Sequence, residues 1–357
     1  MNRRDKDAMY YTNKTIENLY RLFDQNDRKG YLRLDLNENP GGLPQEFINE
    51  VLADVAPQFV AQYPETLHFT EVLAKHLNTD IEHLCLVNGS AEGIRYVIQA
   101  FTSERGRIVG VVPSYFMFQI YSEMYGREFV KVSYNDDLYM DINNIIEEMT
   151  EETQLLILLN PNNPMGNVYS EEEFEKIFRV AKEKQINILV DEAYHYFYPN
   201  TFIKYALEDE HVFITRTFSK LFSLAGCRLG YVVGWPEGIK LVQKLCTPHN
   251  TNAFGMKFAE AILEKPGMLE ELIFKFNDGR EYLINQLDEL GYAHKGEAGN
   301  FIFIQPKTDA QTIVDKMKLE KKILIKMYPA VGELGDCLRV SIGERKYMET
   351  FIRALVE

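Results

Sequence analysis

The sequence predicts an α/β protein, a mostly parallel sheet covered by helices and followed by a smaller α+β domain. Three observations carry this. From about residue 80, short apolar runs recur at Leu84–Val87, Ile108–Val112, Leu155–Leu159, Ile186–Val190, Val212–Ile214 and Tyr231–Val233, with helical patterns or long connections between them. The runs are apolar throughout rather than alternating, as strands buried on both faces are. After Pro236 the texture changes to a long helical stretch (Leu269, Leu272, Ile273, Phe276), then "NFIFIQ", a helix, "ILIKMY", "LRVSIG" and a closing helix.

The elements justify themselves in order. Residues 1–40 read as an N-terminal arm packing near the small domain, 41–245 as the large domain and 246–357 as the small one. Ile94, Val97, Ile98 and Phe101 repeat at i, i+3, i+4, i+7, one face of a helix. Ser170 with Glu173 makes a capping-box pattern that opens a second helix through Phe174, Ile177, Phe178 and Ala181. There are no internal repeats and no low-complexity segment.

Composition narrows the function. At 357 residues the chain exceeds most single cores, which suits a large domain plus a small one. Hydrophobic residues make up 46% and charged residues 26%, the balance of a globular protein. A net charge of −14 opposes binding to nucleic acid or an anionic membrane. It leaves room for a local basic pocket, because salt screens distant surface carboxylates. No apolar run approaches a membrane span, and the opening "MNRRDKDAMYYTNK" lacks the apolar segment of a signal peptide. The expectation is a cytoplasmic protein, in which the sequons at Asn13 and Asn88 carry no meaning. The four cysteines form no CxxC pair, so neither a zinc site nor a disulfide framework is expected.

Ligands of open α/β sheets sit beyond the carboxyl ends of the strands. After Leu84–Val87 comes "NGSAEGI", where Gly89 and Ser90 lead into a helix. This is either a structural turn or a helix N-terminus that offers free amides to a phosphate. After Ile108–Val112 comes Tyr115, which reads as core or as an aromatic face. "NPNNPMG" fixes a loop that aims Asn162 or Asn163. Asp191 ends an apolar strand, and a buried carboxylate needs a cationic partner. Next follows "TFSKLFSLAGCRLG", with Thr217, Ser219, Lys220 and Arg228 where another apolar strand ends. A lone lysine there would be a surface residue; this one has company.

Other chemistries lack their residues. No metal-ligand spacing such as HExxH appears among the seven histidines. The GxSxG elbow fails at Ser90, where Asn88 and Glu92 replace the glycines, and both GxGxxG and GxxxxGK[ST] are absent. One ligand uses all five strand ends: a phosphorylated aromatic aldehyde with a protonatable ring nitrogen. Lysine takes the aldehyde as a Schiff base, the carboxylate takes the ring nitrogen, and tyrosine stacks on the ring. Arginine and the helix N-terminus take the phosphate. This is pyridoxal 5′-phosphate chemistry.

On these motifs the chain resembles fold-type I pyridoxal-phosphate enzymes, specifically class II aminotransferases similar to histidinol-phosphate aminotransferase. The likeness runs from "LDLNENP" and "QYPE" through the strand-end motifs to "CLRVSIG". It implies Lys220 as the Schiff-base lysine, Asp191 as partner of the pyridine nitrogen, and Tyr194 and Asn163 as donors to the ring 3-hydroxyl. It implies Tyr115 as the stacking ring, and Ser90, Ala91, Ser219 and Arg228 as phosphate ligands, with Glu92 and Thr217 in the same cofactor set. Tyr63 is similar to a tyrosine that such homodimers lend to the partner's site. Arg339 resembles the arginine that grips the substrate's acidic group, and Tyr20 is carried over as a further substrate contact. Where the family commonly has a second arginine, thirteen residues earlier, this chain has Lys326. Lysine keeps the charge but loses the bidentate fork.

The resemblance implies amino transfer on a small phosphorylated or otherwise acidic amine or amino acid, with glutamate and 2-oxoglutarate as second partner. The alternative is a decarboxylase resembling threonine-phosphate decarboxylase, which shares the lysine and arginine motifs. The outcome turns on which Cα bond stands perpendicular to the cofactor ring. A cofactor-binding regulator would need a basic DNA-binding extension, for which the stretch before residue 36 is too short.

Overall fold

The computed structural model describes residues 12–17, 19, 27–135, 138–296 and 298–357. Its strands are β1 (Leu32–Arg33), β2 (Leu84–Val87), β3 (Arg107–Val112), β4 (Glu128–Ser133), β5 (Thr153–Leu159), β6 (Asn187–Asp191), β7 (Val212–Thr217) and β8 (Gly230–Val233). The C-terminal third adds β9 (His294–Lys295), β10 (Phe301–Ile304), β11 (Ile323–Leu324), β12 (Lys326–Tyr328) and β13 (Cys337–Ser341).

The central sheet has the order β2-β8-β7-β6-β5-β3-β4. Strands β7, β6, β5, β3 and β4 run parallel, and β8 runs antiparallel to both its neighbours, β2 and β7. The mostly parallel sheet follows from strands that are apolar on both faces. Along β5, Leu155, Ile157 and Leu159 pack with Ile94 and Val97 of the helix Ser90–Phe101. Leu156 and Leu158 between them pack with Phe174 and Ile177 of the helix Glu171–Glu183. Side chains alternate across a strand, so one apolar run feeds two cores. Ser170 opens the second helix with the expected capping box.

The apolar-run pattern passed over β4, "EFVKVS". It is an edge strand whose two ends, Glu128 and Ser133, are exposed. An edge strand covered on one side need not be apolar throughout.

The small sheet is antiparallel in the order β12-β13-β10-β9. The long helix Met268–Glu289 and the closing helix Arg345–Val356 pack together beside it. A Cβ on Gly279 would lie 1.9 Å from the Gly343 carbonyl oxygen, so only glycine lets the long helix approach the chain there. "ILIKMY" is not one strand: β11 pairs with β1 in a parallel two-stranded ribbon, and β12 joins the small sheet. Of the arm expected over residues 1–40, β1 thus lies against the C-terminal part of the chain, whereas the short helix Lys14–Glu17 packs instead on the large domain's helix Met117–Met124, with Thr15 Oγ1 donating to the Met124 carbonyl at 3.0 Å. The helix Ala253–Glu264, beyond the expected boundary at 246, packs on the helix Leu67–Leu77 of the large sheet's side. Among the described residues no helix is long and apolar enough to cross a membrane.

Behind the strand ends, Arg216 Nε and Nη2 donate to Glu192 Oε2 at 2.9 and 2.8 Å, and both side chains are buried. Thr201 Oγ1 and the Phe202 amide complete the carboxylate's bonds. A buried ion pair is tolerable only when so satisfied. This one ties β7 to the chain just after β6, next to Asp191.

Candidate active site

A cavity of about 600 Å³ opens where the parallel strands end, roofed by β12 and β13 of the small sheet. Ser90, Tyr115, Asn163, Asp191, Tyr194, Thr217, Ser219, Lys220, Arg228, Lys326 and Arg339 all line it, as does the backbone region of Ala91. Residues from opposite ends of the sequence meet here because parallel strands all deliver their carboxyl ends to one side.

Asp191, the last residue of β6, is 3% exposed. Thr215, its register partner on β7, donates from Oγ1 to Asp191 Oδ1 at 3.0 Å. No cation is in ion-pair contact with it among the described residues, and burial pushes its pKa up to about 7. Desolvation wins here over the Thr215 hydrogen bond and the more distant Lys220 charge, both of which favour the carboxylate.

Lys220 follows β7. Its Nζ donates to the Leu36 carbonyl at 3.0 Å and lies 5.6 Å from the centre of the Tyr194 ring. Burial, helped by the positive charges of Arg339 and Arg228, lowers its pKa to about 8. The Leu36 carbonyl favours the ammonium, since a charged N–H donates more strongly than a neutral one, but as a neutral acceptor it offsets burial only in part. Tyr194 is buried, and its phenol is pushed up to about 12, chiefly by burial.

On the opposite wall, Gly89 (φ 79°) precedes the helix Ser90–Phe101. A Cβ on Gly89 would lie 2.6 Å from Arg228 Nη2, so glycine is needed both for the positive φ and for the arginine lying against the turn. Arg228 Nη1 donates to Ser219 Oγ at 3.2 Å and to the Ala225 carbonyl at 3.2 Å. Thr217 Oγ1 donates to Ser219 Oγ at 2.9 Å. The first amides of the helix, at Ser90 and Ala91, have no carbonyl one turn earlier to bond. Two hydroxyls, a guanidinium and a helix N-terminus converge, an arrangement suited to a phosphate. Tyr115 also lines the cavity and stands edge-on to Phe118, with centroids 5.5 Å apart.

The roof carries the cations. Lys326 on β12 is the register partner of Arg339 on β13, so both side chains leave the same face of the small sheet. Arg339 is 4% exposed; its Nη1 donates to Asn163 Oδ1 at 2.8 Å and its Nη2 to the Asp35 carbonyl at 2.7 Å. Both acceptors are neutral, and Arg339 Nε is buried without a hydrogen-bond partner. The guanidinium is oriented but not neutralised. The residues therefore fit the expected cofactor and leave a cation for a further acid group.

Two expected site residues do not line this cavity, and a third cannot be placed in it. Glu92 turns away: its Oε2 accepts from the Asn88 amide at 2.7 Å, and its own amide donates to the Gly89 carbonyl. It secures the turn rather than facing the cavity. Tyr63 is 77% exposed, outside its own chain's cavity, and stacks on His249 at 4.4 Å. Tyr20 lies outside the described residues. Two groups escaped the sequence reading, one lining the cavity and one buried behind it. Asn37 lines the cavity and donates from Nδ2 to the Tyr194 hydroxyl at 3.0 Å. Its signal was an asparagine in "LNENP", a residue type that accepts the left-handed φ of 57° found there. Thr215 follows the apolar run Val212–Ile214 at the polar end of β7 and gave no signal of its own.

Residues 29–355 match the family described as aminotransferase class I and II. The chain is 30% identical over 329 residues to histidinol-phosphate aminotransferase of Caldanaerobacter subterraneus, covering 91% of this chain and 92% of that one. It is 31% identical over 347 residues to histidinol-phosphate aminotransferase 2 of Nitrosococcus oceani, covering 94% and 93%. Among solved structures, histidinol-phosphate aminotransferase from Sinorhizobium meliloti, in complex with pyridoxal-5′-phosphate, superposes with a TM-score of 0.87 at 24% identity, over 98% of this chain and 97% of that one.

The lowered pKa of Lys220 has a direct readout. A depressed pKa means more neutral amine near pH 8, so labelling of Lys220 by an amine-reactive reagent, in the cofactor-free chain, should rise with a midpoint near pH 8. Peptide mapping across a pH series measures it. A midpoint near 10.4, that of an ordinary lysine, would place the amine in water.

Proposed function

The chain belongs to the class I and II aminotransferases, and we propose that it uses pyridoxal phosphate to transfer the amino group of a phosphorylated amine or amino acid, in the manner of histidinol-phosphate aminotransferase. Glutamate and 2-oxoglutarate are the proposed second partner. The observation that carries the reading is the roof: among the described residues Arg339 is held by neutral groups, two oxygens and the Tyr328 and Phe301 rings, with Lys326 opposite it in register. Two cations on one face suit a dianion better than a single carboxylate. The family match and the relatives' names support transfer over decarboxylation.

When bound, pyridoxal phosphate supplies an electron sink for negative charge at the amino acid Cα. Asp191 keeps a proton on the ring nitrogen, since a cation beside it relieves the cost of burying its carboxylate. Ser90, Ala91, Ser219 and Arg228 bind the phosphate, and Tyr115 orients the ring. Lys220, whose pKa near 8 leaves a good share of neutral amine, would hold the cofactor through its aldehyde and, when released from it, would serve as the base that moves the Cα proton. Arg339 and Lys326 bind the acid end of the substrate and so set which Cα bond faces the ring.

Tyr63 supports a dimer: a large, exposed tyrosine outside its own cavity suits a two-fold assembly in which each chain completes the other's site.

Two experiments test this reading. Phosphorylated and unphosphorylated amino donors would be assayed with 2-oxoglutarate for glutamate and for carbon dioxide. Arg339→Ala should lower kcat/KM for every substrate, and Lys326→Ala mainly for phosphorylated ones, each by about 30- to 1,000-fold. Equal effects of Lys326→Ala on both classes, or release of carbon dioxide in place of glutamate, would count against it. For the dimer, mixing inactive Lys220→Ala with inactive Tyr63→Ala chains should restore activity through one intact site per hybrid. No recovery in a mixture shown to exchange subunits would mean self-contained chains.

A further inference from the structure

The buried hydrogen bonds around Asn37 fix the direction of a proton. Asn37 is 1% exposed and Ser341, on β13, is fully buried. The Asn37 backbone amide donates to Ser341 Oγ at 2.8 Å. The serine hydroxyl, having accepted that bond, donates onward to Asn37 Oδ1 at 3.3 Å. In the side chain's placed orientation the oxygen faces Ser341 and the nitrogen faces Tyr194 at 3.0 Å, an arrangement that gives the serine hydrogen an acceptor. An amide nitrogen only donates. The Tyr194 oxygen therefore accepts from Asn37, and its own hydrogen must go elsewhere. Among the described residues no acceptor stands on that side of the phenol, which lines the cavity. The hydrogen is left for whatever occupies it.

The backbone around Asn37 is held as firmly. Asn300 Nδ2 donates to the Asn37 carbonyl at 3.0 Å, and the Ser341 amide donates to the Leu34 carbonyl at 2.8 Å. One residue earlier, the Leu36 carbonyl holds Lys220 Nζ, and one before that the Asp35 carbonyl holds Arg339.

We infer that Asn37 is a positioning residue, which forces the Tyr194 hydroxyl to donate into the cavity, onto the 3-oxygen of the bound cofactor. The inference rests on the cofactor assignment proposed above. Tyr194 keeps its hydrogen across the working range, since its pKa lies near 12. A donor on an oxygen favours the bare anion of that oxygen and lowers its affinity for a proton. With Asn37 in place, the phenol gives the 3-oxygen a fixed donor. Without it, the phenol can rotate, and the donor is divided between the cofactor and other acceptors.

The test reads the visible band of the Lys220-bound cofactor across pH. Asn37→Gly removes the amide while keeping a residue that accepts the left-handed backbone. It should raise the pH at which the band titrates by about half to one unit, and lower kcat more than it raises KM. Asn37→Asp, nearly the same shape, places an acceptor against the phenol and should raise that pH further. The deciding comparison repeats Asn37→Gly in a Tyr194→Phe background. If Asn37 acts through the Tyr194 hydroxyl, the titration there should no longer respond to it. An equal shift in both backgrounds, or none in either, overturns the inference. Borohydride reduction of each variant separates the two readings: a label on Lys220 with an unresponsive band sinks only the role of Asn37. Absence of any label on the parent chain sinks the cofactor assignment, and this inference with it.

Discussion

Asp191 ends an apolar strand with a carboxylate that Thr215 holds on one oxygen and that no cation touches among the described residues. Burial raises its pKa to about 7, so a charged form at neutral pH is costly unless something positive arrives beside it. The surrounding architecture keeps the carboxylate in place. The parallel register sets Thr215 opposite it, and the buried Glu192–Arg216 pair pins the next residue to β7. A protonated ring nitrogen, neighbour to a phosphate and an aldehyde, meets this need while the phosphate cradle and Lys220 take the other two groups. The proposed cofactor thus answers several local demands at once.

The short segment from Asp35 to Asn37 joins the two halves of the site. Three successive residues give the Asp35 carbonyl to Arg339, the Leu36 carbonyl to Lys220 and the Asn37 amide to Tyr194. Ser341 and Asn300 of the small domain grip the same segment. The Arg339 guanidinium on the roof and the Lys220 amine are therefore referenced to one stretch of backbone. Neutral carbonyls orient both groups without quenching Arg339 or restoring the cation of Lys220. Carboxylates in those places would have done both.

Much of this was legible in the sequence because parallel strands buried on both faces are apolar until their ends. A tyrosine, an aspartate, a lysine and an arginine at such ends stand out, and the fold brings them to one cavity. Other features had no local signal. β4 is an edge strand of mixed polarity, and "ILIKMY" looks like one strand although its halves serve different sheets. Glu92 follows the cradle serine in sequence, but the helix turns its carboxylate back to Asn88. Asn37 gains its role from Ser341 and Tyr194, 304 and 157 positions away, which no nearby pattern reports. Tyr63 sits on its own chain's surface, so whatever it completes belongs to an assembly rather than to one fold.

The most direct test is borohydride reduction of the purified protein, followed by mapping of the modified peptide. The account predicts a yellow protein whose colour is lost on reduction, with the cofactor's mass fixed on Lys220 and nowhere else. A label on another lysine, or none after incubation with pyridoxal phosphate, would contradict it.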